Sequence, residues 1–93
     1  MREIERTTQF RRDYKRERKG RHRATLDVTL ASVLATLMAD EPLVERHRDH
    51  ALSGDWSGYR DCHVKPDLVL IHAKPDATTL RLLRLGSHGE LDL

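Results

Sequence analysis

Six side chains in the second half of this 93-residue sequence could together do acid–base chemistry: His50, Asp61, His63, Asp67, Arg84 and His88. Imidazoles give and take protons near neutral pH, carboxylates orient them, and a guanidinium fork steadies a phosphate. RNA suits such a set because it carries its own nucleophile, the 2′-OH. One group removes that proton, a second protonates the departing 5′-oxygen, and cations stabilise the dianionic phosphorane between them. Metal chemistry fits less well. No H-x-x-x-H or C-x-x-C spacing occurs, and Cys62 and His63, adjacent on a strand, point to opposite faces. The same divergence argues against a Cys62–His63 nucleophilic pair. No metal and no cofactor is expected.

Strands must position these groups. "YRDCHV" alternates in part, "DLVLIHA" is nearly all apolar and "TTLRLLRLG" is rich in Thr and Leu, with Lys65-Pro66 and Lys74-Pro75-Asp76-Ala77 as turns between them. Three antiparallel strands in a meander are predicted. If Cys62 and Val64 face a core, Asp61 and His63 face the opposite, polar side; Asp67 opens the next strand across a turn, and Arg84 and His88 lie on and after the last. Leu82 shares parity with Arg84, whereas Leu83 and Leu85 have the other, so the pattern leaves open which side of that strand is buried. His22, His47 and His72 read as structural or solvated.

Upstream, "REIERT" suggests a short strand and Thr7 or Thr8 an N-cap for a helix over "QFRRDYKRERK", with Phe10 and Tyr14 at i, i+4 as its docking stripe. Gly20 ends it. Leu26, Leu30, Val33, Leu34 and Leu37 mark a second helix, closed by Asp40-Glu41-Pro42. Residues 41–58 read as a long connection in which Trp56, between Gly54 and Gly58, plugs the edge of the core. The expected class is α+β: an N-terminal helical hairpin packed on a small antiparallel β-sheet, in the order β-α-α-β-β-β, with residues 1–93 forming one domain.

The composition, 38% apolar and 34% charged, belongs to a small globular protein. A net charge of +2 conceals an asymmetry: residues 1–23 carry ten Lys or Arg against four acids, the remainder seven against eleven. Lys15, Arg16, Arg18, Lys19 and Arg21 form the densest cluster, joined by Arg60 and Lys65. This is either a solvated helix face or, the reading favoured here, a surface for RNA or the ribosome. Arg60 also has Asp49 or Asp61 as a possible ion-pair partner. A single cysteine precludes an internal disulfide, the N-terminal residues lack the apolar stretch of a secretory signal, and Ala24–Ala39 is too short and polar to span a bilayer. A cytoplasmic location without membrane partners is expected.

"DHALSGDWSGYRDCHVKPDLVLIH" follows the pattern D-H-x-L, G-x-W-x-G-x-R-D-x-H-V-x-P-D and an apolar strand, and "LRLLRLGSHGEL" continues with L-R-x-x-R-x-G-[ST]-H. With these motifs the chain resembles the RelE-superfamily ribonuclease toxins of bacterial type II toxin–antitoxin modules, of the YafQ type. The resemblance implies a RelE-like fold and a metal-independent endoribonuclease that cleaves messenger RNA in the ribosomal A site. It implies as partners the ribosome with its message and a small, acidic, DNA-binding cognate antitoxin, with operator DNA reached only through the antitoxin complex. By position, the site residues it implies are the six named above: His88 as general acid, His50, His63 and Asp67 to activate the 2′-OH and orient substrate, Arg84 on the scissile phosphate. Leu68 and Leu91 stand where such toxins can carry aromatics, which would remove a stacking platform worth about 1 to 3 kcal/mol per base. Leu83 and Leu85 suggest an apolar patch for the antitoxin or a dimer contact. A non-catalytic RNA- or ribosome-binding module, or a degenerate toxin acting as an antitoxin-bound co-repressor, are the alternatives.

Overall fold

A computed structural model describes residues 2–93. The elements, in chain order, are β1 (Glu3–Arg6), α1 (Thr8–Arg18), α2 (Leu26–Met38), a 3-10 turn (Glu45–His47), β2 (His50–Ala51), a second 3-10 turn (Gly54–Trp56), β3 (Arg60–Lys65), β4 (Leu68–Ala73), β5 (Thr79–Gly86) and α3 (His88–Leu91). The predicted helical hairpin and the meander β3–β4–β5 are both present. The sheet is mixed, however, in the order β1-β5-β4-β3-β2, because β1 joins β5 in parallel. A strand separated from its partner by two helices has the length of chain that a parallel crossover needs.

Local chemistry explains the hairpin. The Thr7 hydroxyl caps α1 by accepting from Phe10 N–H at 3.0 Å and itself donates to the Leu83 carbonyl at 2.8 Å. α1 has Lys15, Arg16 and Arg18 in its last turn, where cations favour the helix dipole. α2 buries Leu26, Leu30, Val33, Leu34 and Leu37 against Cys62, Val64, Leu68, Leu70, Leu80, Leu82 and Leu85 of the sheet. Each such leucine contributes roughly 1.5 to 3 kcal/mol by leaving water.

Beyond β1, the outer edge of β5 is bonded by the start and side chains of α1 instead of by a strand. Thr7 N–H donates to the Leu82 carbonyl at 3.1 Å, Leu85 N–H donates to Asp13 Oδ2 at 3.0 Å, and Arg16 Nη2 donates to the Leu85 carbonyl at 2.8 Å. Backbone groups that would otherwise lack partners are thereby satisfied.

The far face of the sheet departs from the expected polar surface. Val69, Ile71 and Leu91 are buried there, with Leu52, Trp56, Tyr59 and Leu83 packed against them. A bulge in β5 makes this possible: Ile71 pairs with Arg84 but His72 pairs with Leu82, so Leu83 is the extra residue. Leu82 and Leu85 therefore both enter the helix-side core while Leu83 joins the far side. The apolar patch expected of Leu83 and Leu85 does not form, since Leu85 is fully buried. The stretch 41–58 is more structured than a plain connection. Its β2 pairs His50 with Asp61 and Ala51 with Arg60, and Gly54 and Gly58 adopt positive φ of 64° and 93° around Trp56, a conformation that favours glycine. Trp56 and Tyr59 meet edge to face at 5.8 Å and plug the second cluster as expected of Trp56. Among the described residues no helix is long and apolar enough to cross a membrane.

Candidate active site

The far side of the sheet holds an open cleft of about 850 Å³, lined by His50, Asp61, Arg84 and His88 together with Trp56, Tyr59, Leu83 and the C-terminal residues. Each polar group arrives by a different device. β2 sets His50 beside Asp61, the β5 bulge turns Arg84 toward the cleft, and a capping box starts α3 at His88, with Ser87 Oγ accepting from Glu90 N–H at 3.1 Å and Glu90 Oε1 accepting from Ser87 N–H at 2.9 Å. Such a box fixes the first residue of a helix too short to hold itself.

His63 and His88 face each other with ring centroids 4.9 Å apart and planes tilted by 56°. His63 is the residue before the register shift in β3, and its carbonyl accepts from His47 Nδ1–H at 2.6 Å. A carbonyl only accepts, so that bond sets the tautomer of His47. The same logic applies to His50, whose Nδ1 lies 2.8 Å from the Arg48 carbonyl and 3.0 Å from Asp61 Oδ1. The ring N–H is aimed at the carbonyl, so the approach to Asp61 is electrostatic and leaves Oδ1 without a hydrogen-bond partner. Asp61 is 2% exposed, and burial pushes its carboxyl above the usual range despite the neighbouring His50, His63 and His88. The three imidazole charges act against that burial and favour the ionised form.

Arg84 is held from behind. Its Nε and Nη2 donate to Asp13 at 2.7 and 3.2 Å, and Asp13 also receives Arg16 Nη1 at 3.0 Å. Burial works to raise the Asp13 carboxyl, yet the Arg84 hydrogen bond, the Leu85 N–H and the two guanidinium charges outweigh it and hold it below the usual range. Arg16 continues to Glu90 at 3.1 Å, so one chain of charge links α1, β5 and α3. Cys62 lies in the helix-side core, where burial pushes its thiol up to about 12, far from thiolate chemistry.

Two placements differ from expectation. Asp67 is not brought to this group: its carboxylate accepts from His22 Nε2 at 2.8 Å and pairs with Arg21 at 3.2 Å, tying the β3–β4 turn to the loop between the helices. Arg16, expected on the RNA-binding surface, is occupied by Asp13, Glu17, Glu90 and the Leu85 carbonyl. Arg60 pairs with Asp49 at 3.0 Å, the first of its two candidate partners. Lys15, Lys19 and Arg18 stay exposed, Arg18 over the Tyr14 ring at 5.8 Å, while Lys65 borders a separate hollow. Leu68 and Leu91 are 1% and 2% exposed core residues, so neither position can meet a base in this chain; the aromatic surfaces of the cleft are Trp56 and Tyr59. Sequence reasoning missed Asp13, whose signal was an acid set within a run of cations on the helix, and the tethering roles of His47 and His22. Buried His72 has no hydrogen-bond partner on either nitrogen, and burial lowers it to about 4.

Comparison with known proteins places the geometry in context. The family model described as "Bacterial toxin of type II toxin-antitoxin system, YafQ" matches residues 2–93. The mRNA interferase toxin YafQ of Escherichia coli K12 is 40% identical over 93 residues, covering 98% of this chain and 96% of that protein. The crystal structure of YafQ from E. coli BL21(DE3) aligns with a TM-score of 0.84 at 35% identity, over 98% of each chain. The toxin in the E. coli DinJ-YafQ toxin-antitoxin complex aligns at 0.82 and 36%, over 97% of this chain and 96% of that one.

Proposed function

The chain belongs to the YafQ family of bacterial type II toxin–antitoxin toxins, and from that premise we propose how its cleft works as an mRNA interferase. It is an endoribonuclease, in keeping with its E. coli relatives, which are named mRNA interferase toxins. The observation that carries the mechanism is the facing pair His63 and His88, with His88 lining the same cleft as Arg84. His88, exposed at the start of α3, is the general acid that protonates the departing 5′-oxygen. His63 and His50 share the task of removing the 2′-OH proton; the Arg48 carbonyl orients the His50 ring, and the nearby Asp61 carboxylate electrostatically supports the imidazolium that results. Arg84, steadied by Asp13, stabilises charge on the phosphorane. Acid, base and charge stabilisation are all supplied by side chains, so the reaction is proposed to need no metal. Asp67 then contributes by anchoring the β3–β4 turn and not by touching substrate.

The substrate is proposed to be messenger RNA in the ribosomal A site, with Lys15, Arg18 and Lys19 on exposed α1 contacting ribosomal RNA and the toxin acting in the cytoplasm. Its restraining partner is proposed to be an acidic antitoxin that seats apolar side chains in a groove of about 470 Å³ between α1 and α2, lined by Phe10, Tyr14, Leu30 and Leu34 under Arg11, Lys15 and Arg18. Operator DNA is reached through that complex. Primer extension on translating ribosomes tests the mechanism: His63→Ala and His88→Ala are each expected to lower cleavage about 10²- to 10⁴-fold. Undiminished cleavage by both variants would overturn it.

A further inference from the structure

Past Asp61, the outer edge of β3 is no longer paired by β2, and the 3-10 turn Glu45–His47 lies along it instead. Between them is a hollow of about 210 Å³ lined by Thr29, Arg46, His47, His63, Val64 and Lys65, closed by Pro66. Every ionisable group on that wall is basic. Six arginines of the molecule are held by carboxylates: Arg2, Arg16, Arg21, Arg60, Arg81 and Arg84. Arg46 and Lys65 are in no ion pair among the described residues, and the nearest acid on the hairpin, Asp67, is already taken by Arg21 and His22.

The hollow is also built with some precision. His47 is fixed by its 2.6 Å bond to the His63 carbonyl, which commits Nδ1 and leaves Nε2 as its other polar atom. That bond falls at the register shift between His63 and Lys65. A bulge re-aims side chains, so the turn that positions His63 toward His88 is the same turn that brings Lys65 to the hollow. His63 borders the hollow and its ring lies tilted against His88 of the cleft, which makes it the divide between the two.

We propose that the hollow of Arg46, His47 and Lys65 is a second anion subsite that takes a backbone phosphate of the RNA next to the scissile linkage. It rests on the ribonuclease reading above and extends it: the strand enters over Trp56 and Tyr59, crosses His63 with its scissile phosphate at Arg84, and leaves along the β3 edge with its next phosphate between Arg46 and Lys65. Single-stranded RNA that loses one such contact loses about 0.7 in the slope of log affinity against log salt.

The test uses a single-stranded RNA oligonucleotide of mixed sequence with 2′-O-methyl groups throughout, which cannot be cleaved because its nucleophile is blocked. Its affinity is measured against salt for the wild type, for Arg46→Gln/Lys65→Gln, and for the charge-preserving Arg46→Lys/Lys65→Arg. The glutamine variant should bind about 5-fold more weakly at 0.1 M salt with a slope smaller by about 0.7, and the charge-preserving variant should recover most of both. Unchanged affinity and slope in the glutamine variant overturn the subsite, as does failure of the wild type to bind the oligonucleotide at low salt. Weakened antitoxin binding with RNA affinity intact overturns it in favour of a protein partner. His88→Ala separates the two readings: retention of message cleavage by that variant sinks the ribonuclease mechanism, whereas the salt slopes judge the subsite alone.

Discussion

Asp13 and Asp61 are buried to the same extent, each 2% exposed, in two regions about the same sheet. At the β5 edge, Asp13 accepts from Arg84, Arg16 and the Leu85 N–H, and its carboxyl is held below the usual range. In the cleft, Asp61 has an oxygen with no hydrogen-bond partner, and burial holds its carboxyl above that range. A buried carboxylate with its lone pairs filled is a structural rivet; one left short of partners retains chemistry to spend. The contrast separates the part of the molecule that sets geometry from the part that uses it.

Removing the rivet should have the largest effect on stability. Asp13→Ala leaves a buried N–H and two guanidinium groups without their shared acceptor, and urea unfolding is expected to show a loss of about 3 to 5 kcal/mol. An effect below 1 kcal/mol would erase the distinction between the two sites. Asp61→Asn should do the reverse. The neutral amide keeps the shape and sheds the burial penalty on charge, so stability should hold within about 1 kcal/mol while cleavage falls about 10²-fold, the lower end of what a positioned acid–base partner supplies.

His72 sharpens the same point from outside both regions. Its folded pKa of about 4 lies below the ordinary 6.5, so between those values the unfolded chain binds the proton and the folded chain does not. Stability should therefore fall as pH drops from 6.5 toward 4, in part through this residue. His72→Leu removes two buried nitrogens that make no hydrogen bond, along with a 3.8 Å approach to Asp49, and should raise stability by about 1 to 3 kcal/mol and flatten that acid limb in thermal melts. Asp13 acts lower still: its depressed pKa gives stability that is present above the unfolded carboxylate value and is lost only as pH falls through the folded one. Asp61 has the opposite sign, since its raised pKa makes the folded form gain stability as pH falls toward the unfolded value. The smallest expected change is Arg60→Gln, which breaks an exposed pair with Asp49 and should shift stability by no more than about 1 kcal/mol.

The helices and the meander were legible because Phe10 with Tyr14, and Leu26 through Leu37, repeat at helical spacing, and because prolines punctuate the strands. His50, Asp61, His63, Arg84 and His88 were legible as a set, carried by residue chemistry and by motif. Three things were not, each for a physical reason. The β5 bulge breaks period-two alternation at Leu83, so parity could not say which leucines were core. β2 is two residues long, below the length at which any periodicity exists, yet it sets His50 beside Asp61. Asp67 stands in the right sequence context, but His22 and Arg21, whose proximity depends on how the helical hairpin docks, draw it away.

The borders of the sheet carry a last consequence. Exposed strand edges are where chains pair and polymerise. Here one border strand is four residues of "EIER", three of them charged, with α1 sealing β5 beyond it, and the opposite border is the two-residue β2. Neither offers a ladder long enough to recruit another chain. The same capping that sets Arg84 in place therefore leaves the sheet without a long open edge at which copies could pair.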